Sequence, residues 1–291
     1  MAINVSVIIP FYQRQAVFSQ TIESVLKQTE KPREIIIVND ASGGNSSEFL
    51  SQFSEVATII ELAENVGVSE ARNIGANMAK SKYLAFLDSD DIWEPEKLAI
   101  QYAYLEDNSD VDLVHTGCRM FGELRQDTVY NNKPLNLTCK DICFKAHVMF
   151  QSVMMKTSSF RRVGGFDPSI RHTEDWEFSL RLAIGGCTQH FIAIPLVGIR
   201  RDLNDHLSGS WVGYLKGHLK VMFKHKSVMR NHLGLYRYQE KLLTYIQVAG
   251  YRQKRLLGKA LIATALTLKA LNKLTLLIDR ESEDTLYQQI R

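Results

Sequence analysis

The chain has 291 residues, 45% apolar and 23% charged, ordinary proportions for a soluble globular protein. No stretch reaches the ~18 uncharged apolar residues that span a bilayer; the longest candidate, 256–278, is interrupted by Lys259, Lys269 and Lys273. The net charge of +3 hides a split: residues 1–210 hold 20 Lys and Arg against 27 Asp and Glu, a net −7, and residues 211–291 hold 15 against 5, a net +10. That division predicts an acidic working domain over 1–212 and a basic helical extension over 213–291, aimed at an anionic partner. Residues 1–10 lack the basic region of a signal peptide, and the scattered Cys118, Cys139, Cys143 and Cys187 complete no zinc set. A cytoplasmic chain with reduced thiols is expected.

The first half alternates strand and helix signals. Residues 5–10 are near-continuously apolar and predict a strand; residues 18–28 carry Ile22, Val25 and Leu26 at helical spacing. Residues 34–40 predict a second strand, apolar on both faces as in a sheet covered by helices on each side. A third strand is expected at 57–62, then a helix at 69–80 with Ser69 as N-cap, then a fourth strand at 83–88. This repetition predicts an α/β fold built on a doubly wound sheet. A short helix is expected at 93–97. Beyond it come strands at 111–122 and 148–156, a Gly-Gly turn, a helix over 174–184 and a strand over 190–201. From Tyr214 on, the chain reads as basic helix.

Asp88, Asp90 and Asp91 directly follow the fourth strand. Carboxylates two residues apart share one side of a strand end, and doubly wound sheets bind ligands at the carboxyl ends of their strands. Hard oxygens there suit Mg²⁺ or Mn²⁺ bridging to phosphate; capping the 93–97 helix is the competing role. Acids this close call for a cation among them. Asp40 closes the second strand, where an acid accepts hydrogen bonds from a base or ribose, or forms a turn. Arg72, just beyond Gly67, has the planar donor set that binds phosphate, or serves a surface salt bridge, for example to Glu70 or to an acid elsewhere. Glu174 and Asp175 open a helix, where the dipole stabilises acids; the functional reading is a general base. His206 lies in a polar loop, as a metal or phosphate contact or as a solvated residue. No G-x-G-x-x-G string occurs, which argues against a nicotinamide enzyme. The acidic domain lacks aromatics interleaved on a basic face, so nucleic acid is not an expected partner.

In order along the chain, "VSVIIPFYQR", "SVLKQT", "EIIIVNDAS", "NVGVSEARNIG", "YLAFLDSDDIWEPEKL", "GGFDPSIRHTEDWEFSLRLA" and "RRDLNDHLSGS" closely resemble the family 2 glycosyltransferases. These are inverting, nucleotide-sugar-dependent enzymes of GT-A fold, and the resemblance covers about residues 3–210. It implies a nucleotide-sugar half over 1–110 and an acceptor half over 111–212. It places Pro10 and Tyr12 in a loop under the base, Asp40 on the base, and Arg72 near the phosphates. Asp88 would contact the ribose with Ser89 beside it, and Asp90 would bind Mn²⁺ or Mg²⁺. Asp175, with Glu174, would be the catalytic base, and Trp176 would border the acceptor. His206 would help hold metal and diphosphate. The implied donor is a UDP-sugar. The implied acceptor is a glycan or lipid-linked glycan, as in bacterial builders of polysaccharide and lipopolysaccharide. Gln13 stands where relatives often carry Asn, and Asn39 where many carry Asp.

In the tail, Arg252, Arg255, Lys259, Lys269, Lys273 and Arg280 fall on one arc of a helix, with Leu257, Leu261, Leu268 and Leu271 on the far side. That pattern suits a helix on an anionic membrane surface through 252–280, peripheral on the inner face of the cytoplasmic membrane. A helix packed on its own domain or on a second subunit gives the same pattern, so a homo-oligomer stays open. One other class competes with the transferase: a catalytically silent GT-A domain that binds nucleotide sugar or glycan as a scaffold.

Overall fold

The computed structural model describes residues 2–122, 128–201, 211–253 and 256–289, with side chains from 257 to 273 in the last segment. The fold divides into two units. One holds the described residues within 1–169 and 174–205; the other holds 170–173 and those within 206–291.

The first unit runs β1 (Ile3–Phe11), α1 (Gln15–Leu26), β2 (Pro32–Asn39), α2 (Ser46–Ser51), β3 (Thr58–Glu61), α3 (Val68–Met78), β4 (Tyr83–Phe86) and β5 (Ile92–Trp93). It continues with α4 (Lys97–Asp107), β6 (Leu113–Phe121), β7 (Val129–Tyr130), β8 (Asn136–Leu137) and α5 (Cys139–Phe144). Then follow β9 (Val153–Lys156), α6 (Thr157–Arg162), α7 (Glu174–Ile184) and β10 (Gln189–Arg200). One mixed sheet has the order β3-β2-β1-β4-β9-β6-β10-β5, with β7 on β6 and β8 on β10. β3, β2, β1 and β4 are mutually parallel, as the alternating pattern predicts. β9 is antiparallel to both β4 and β6.

The continuous apolar run of β1 follows from its two covered faces. Val5, Val7, Ile9 and Phe11 join a core with Phe18, Ile22 and Val25 of α1. Ile8, from the opposite face, meets α3 at Gly75, where a Cβ would lie 2.6 Å from Ile8 Cγ2 and 3.2 Å from Val38 Cγ2. Gly75 thus lets α3 lie close on β1 and β2.

Four local expectations are corrected. The cap of α3 is Gly67, at φ 88°, and Ser69 lies inside the first turn. Residues 92–93 form a strand on β10, through Trp93 opposite Val197, and helix begins only at Lys97; β-favouring Ile92 and Trp93 find a partner strand, and Pro95 holds the residue before it out of the helical region. Of 148–156 only Val153–Lys156 is strand, because 150–152 forms a single 3₁₀ turn. Pro10 is not in a loop: it is a paired residue of β1, opposite Val38.

The second unit contains α8 (Trp211–Lys224), α9 (Lys226–Gln253) and α10 (Leu256–Gln289). α9 is broken at Gly234, whose φ of 77° suits glycine. α10 packs on α9: a Cβ on Gly250 would lie 2.8 Å from the Gly258 carbonyl, Ala265 is buried, and Lys269 Nζ donates to Gln247 Oε1 at 2.9 Å. Leu257, Leu268 and Leu271 stay exposed. No described helix is long and apolar enough to cross a membrane.

Gly75→Ala tests the α3 seat. Overpacking costs about 1–3 kcal/mol, and better helix propensity returns up to about 1 kcal/mol. Denaturant unfolding is expected to show a net loss of about 1 kcal/mol.

Candidate active site

The carboxyl ends of parallel β1, β2 and β4 share one edge, and the chain lays its chemical residues along it. After β2, the Asp40 carboxylate accepts the backbone N–H of Val66 at 2.7 Å, that of Gly67 at 2.9 Å and Asn65 Nδ2 at 3.1 Å. Three of its roughly four lone-pair directions therefore fix the turn that launches α3. Asn39 stabilises the same edge, donating to Glu61 at 2.6 Å and accepting the Ser42 N–H.

α3 carries Arg72 into the middle of the site. Its guanidinium, 3% exposed, donates to Asp88 Oδ1 at 2.6 Å and to Asp175 Oδ1 at 3.3 Å, with Glu174 Oε1 at 3.9 Å. Phe166 lies 5.2 Å from it. Burial opposes the cation, but Asp88, Asp175 and Glu174 outweigh burial and hold its pKa above the ordinary arginine value. The partner is thus not Glu70, which instead accepts from Asn73. Arg72 is a buried clasp between acids.

The acids after β4 each meet a cation or a backbone donor. Asp88 is held by Arg72, and Asp90 lies 3.5 Å from Arg14. Buried Asp91 accepts the Arg200 N–H at 2.9 Å, and Arg200 Nε donates to the Asp90 carbonyl. Burial, then Asp90 and Asp88, push the Asp91 carboxyl well above the usual carboxylate range. Ser89 is buried, and its carbonyl accepts Thr21 Oγ1.

Glu174 and Asp175 open α7 as the sequence pattern predicts. Asp175 Oδ2 accepts the Phe150 N–H at 3.0 Å. Desolvation pushes its pKa up to about 7; Arg72 opposes that rise, while Glu174 and Asp88 add to it. The side chain keeps 27% exposure, so solvent reaches the group. Because the folded pKa is raised, the folded chain binds this proton more tightly than the unfolded chain. That contribution is complete below the ordinary carboxyl pKa and is lost as pH rises through about 7. Arg72 Nε and Glu174 Oε2 are buried without a protein partner, so the cluster has hydrogen-bonding capacity for a ligand.

Trp176, expected beside the acceptor, is 2% exposed and donates Nε1 to the Ile142 carbonyl at 2.7 Å. It fastens α7 to α5 and offers an acceptor no surface. Tyr12 is 44% exposed at the end of β1. His206 lies outside the described residues.

Sequence reasoning missed the residues that brace these groups. Asn73 donates to the Phe166 carbonyl and accepts its N–H, at 2.9 and 2.8 Å, which pins the Gly164–Gly165 turn to α3. The 150–152 turn behind Asp175 is held from within: Trp93 Nε1 donates to the Gln151 carbonyl, and Gln101 Nε2 to the Ser152 carbonyl, both at 2.9 Å. Fully buried Lys97 donates to Gln101 Oε1 at 2.6 Å and lies 3.9 Å over the Trp93 ring. Burial pushes its pKa well below the ordinary lysine value. The available signal was "IWEPEKLAIQ", which sets Trp93, Lys97 and Gln101 at a spacing of four.

The comparisons name the class. Residues 6–160 match the profile of glycosyl transferase family 2, and the chain belongs to that family. A Haemophilus influenzae glycosyltransferase of uncharacterised role is 30% identical over 61% of this chain and 61% of its own. The chain thus spans about three fifths of that relative's length. TuaG of Bacillus subtilis, a glycosyltransferase proposed for teichuronic acid biosynthesis, is 29% identical over 78% of this chain and 89% of its own. Among solved structures, S. aureus TarS (residues 1–349) in complex with UDP-GlcNAc aligns with a TM-score of 0.63 at 15% identity, over 93% of this chain and 89% of that 1–349 chain. The Pyrobaculum calidifontis mannosyltransferase PcManGT in complex with GDP-Man and Mn²⁺ aligns with a TM-score of 0.60 at 17% identity, over 94% of this chain and 85% of its own. The fold is therefore GT-A.

Two outcomes follow from the geometry. Arg72→Leu leaves Asp88, Asp175 and Glu174 without their shared cation, which is expected to lower stability by about 2 kcal/mol. The deficit should widen between about pH 5 and about pH 8, as the stranded acids ionise; denaturant midpoints across that range measure it. Separately, the Phe150 amide resonance should report an Asp175 titration near 7. Gln101→Leu frees the turn, weakens the Phe150 hydrogen bond that favours the carboxylate, and should move that midpoint upward.

Proposed function

We propose that the chain transfers a sugar from a nucleoside diphosphate sugar, UDP-linked, to a hydroxyl of a glycan or lipid-linked glycan, with inversion at the anomeric carbon. One observation supports this most: Arg72 joins Asp88, at the end of β4, to Asp175, at the start of α7. A carboxyl with a pKa near neutrality stands beside the acids suited to receive the donor. The UDP-GlcNAc complex of TarS and the name of TuaG support the donor and acceptor classes.

Asp175 in its carboxylate form takes the proton of the acceptor hydroxyl. The acceptor oxygen bonds to the anomeric carbon from the face away from the nucleotide. The bond to the diphosphate oxygen breaks, and that oxygen keeps the electron pair. A single displacement inverts the centre and requires no enzyme nucleophile. Arg72 keeps Asp88 and Asp175 in register, and the Phe150 N–H aims the base.

A divalent ion, Mn²⁺ or Mg²⁺, belongs to this reading, and the Mn²⁺ in the PcManGT complex supports it. The donor chemistry fits, since Asp90 and Asp88 offer hard carboxylate oxygens at one strand end. No group of three or more His, Cys, Asp or Glu side chains comes together for a metal among the described residues. Asp90, with Asp88, would hold the ion while donor phosphate oxygens and water complete its shell. When bound, the ion supplies positive charge to the departing diphosphate.

The test is release of nucleoside diphosphate from a panel of nucleotide sugars, with Mn²⁺, Mg²⁺ or chelator and with lipid-linked and soluble glycan acceptors. One donor should turn over, and its kcat/KM should rise with pH through about 7. Asp175→Asn should cut kcat by ~10²–10⁴ with donor affinity little changed. Donor binding without turnover on any acceptor would favour the scaffold reading instead.

A further inference from the structure

We propose that the elbow between α8 and α9 is a docking site for the phosphate groups of an anionic phospholipid surface. The inference concerns the second unit alone and stands whether or not the transferase reading holds. Residues 211–239 hold Lys216, Lys220, Lys224, Lys226, Arg230 and Arg237, and no acid. The chain folds part of this run around a cleft. α8 ends at Lys224, α9 starts at Lys226, and the break at Gly234 turns the helix again within about two turns.

The cleft has a volume of about 670 Å³, within the range of small-ligand sites. Lys224, Lys226 and Arg230 line it, with Ser227 and Asn231 as neutral hydrogen-bonding groups. Lys226 and Arg230, like Ser227 and Asn231, stand four apart and share a face of the first segment of α9. The remaining lining residues, Phe223 and Leu235, are 59% and 53% exposed. Cations that meet phosphate, beside apolar side chains free to enter the acyl boundary, are the two halves of an interfacial contact. A free phosphate would use the cations but give exposed Phe223 and Leu235 nothing to bury against.

α10, where the sequence pattern alone puts such a surface, has one face committed to α9, with Lys269 tied to Gln247. The elbow keeps its cations on the surface: Lys224, Lys226 and Arg230 are all exposed. Its form depends on Gly234, because a side chain is strained at a φ of 77°.

The experiment is co-sedimentation of the full chain with phosphatidylcholine vesicles, with and without phosphatidylglycerol. Binding is expected only with phosphatidylglycerol. In the Lys226→Gln/Arg230→Gln variant it should weaken on the order of 10- to 30-fold, from about fivefold per cation near an anionic surface. Phe223→Ser should weaken it as well, and unchanged far-ultraviolet dichroism would show that these surface variants fold. Absence of binding to phosphatidylglycerol vesicles overturns the proposal. So does full binding by the double variant together with loss in Lys259→Gln/Lys273→Gln, which would move the surface to α10. Displacement by millimolar inorganic phosphate, with phosphate itself saturating the chain, would make the cleft a free-anion site and overturn the lipid source. Nucleoside diphosphate release by the same preparations reports on the transferase reading independently.

Discussion

The guanidinium of Arg72 is a full positive charge at 3% exposure, and the geometry of the first unit's site follows from accommodating it. A buried cation is tolerated only where opposite charges and hydrogen bonds replace its water. Asp88, Asp175 and Glu174 supply them, from two segments about ninety residues apart in sequence. The dependence is mutual: without the arginine, three acids would crowd one edge of a sheet. The clasp therefore works in two directions, holding α7 to the end of β4 and keeping the acids tolerable to one another.

Placing that charge constrains one helix closely. Asp40 fixes the turn before α3 through two backbone N–H groups, so the helix starts in a defined direction. Gly75 lets it lie against Ile8 and Val38. Asn73 reaches across to the Phe166 backbone, and Phe166 packs on Phe86, Phe150, Phe160 and Phe178. Three residues of "ARNIG" thus face three neighbours: acids, loop and sheet. On the other side, Trp93 and Gln101 hold the 150–152 turn by its carbonyls, leaving the Phe150 N–H for Asp175. The candidate base is set by backbone on one oxygen and by a buried cation on the other, a rigid support for a group that must meet a substrate hydroxyl.

What could be read from the sequence was what short-range physics encodes. Apolar runs marked β1, β2 and β4, and the acidic start with helical spacing marked α7 at both of its ends. The insertion of β9 between β4 and β6 could not be read, because strand order depends on long-range pairing. The local pattern suits a short helix at 93–97, yet Trp93 pairs with β10 about a hundred residues later, a contact that short-range sequence does not encode. The resemblance sets Trp176 beside the acceptor, yet consecutive helical residues point about 100° apart, and this one faces the core. Arg72 has the donor set for phosphate, and its ion-pair partners among the described residues are carboxylates.

The charge balance of the edge also bears on the metal. Asp88, Asp90, Asp91, Glu174 and Asp175 gather with Arg14, Arg72 and Arg200 among the described cations in contact with them. Burial first, and neighbouring acids after it, hold two carboxyls against ionisation: Asp91 well above its usual range and Asp175 near 7, where Arg72 opposes the rise. A nucleoside diphosphate brings further negative charge to the same place, and Arg72 is already engaged by acids. On the proposed reading, a donor bound here calls for positive charge that arrives with it. On that reading, a divalent ion held at Asp90 would supply the charge, which electrostatics favours as well as the spacing of two aspartates. Burial, with Glu174 and Asp88 adding to it, keeps the Asp175 pKa near 7, where a general base is most effective. On this reading, the acidity after β4 serves donor capture and proton removal together.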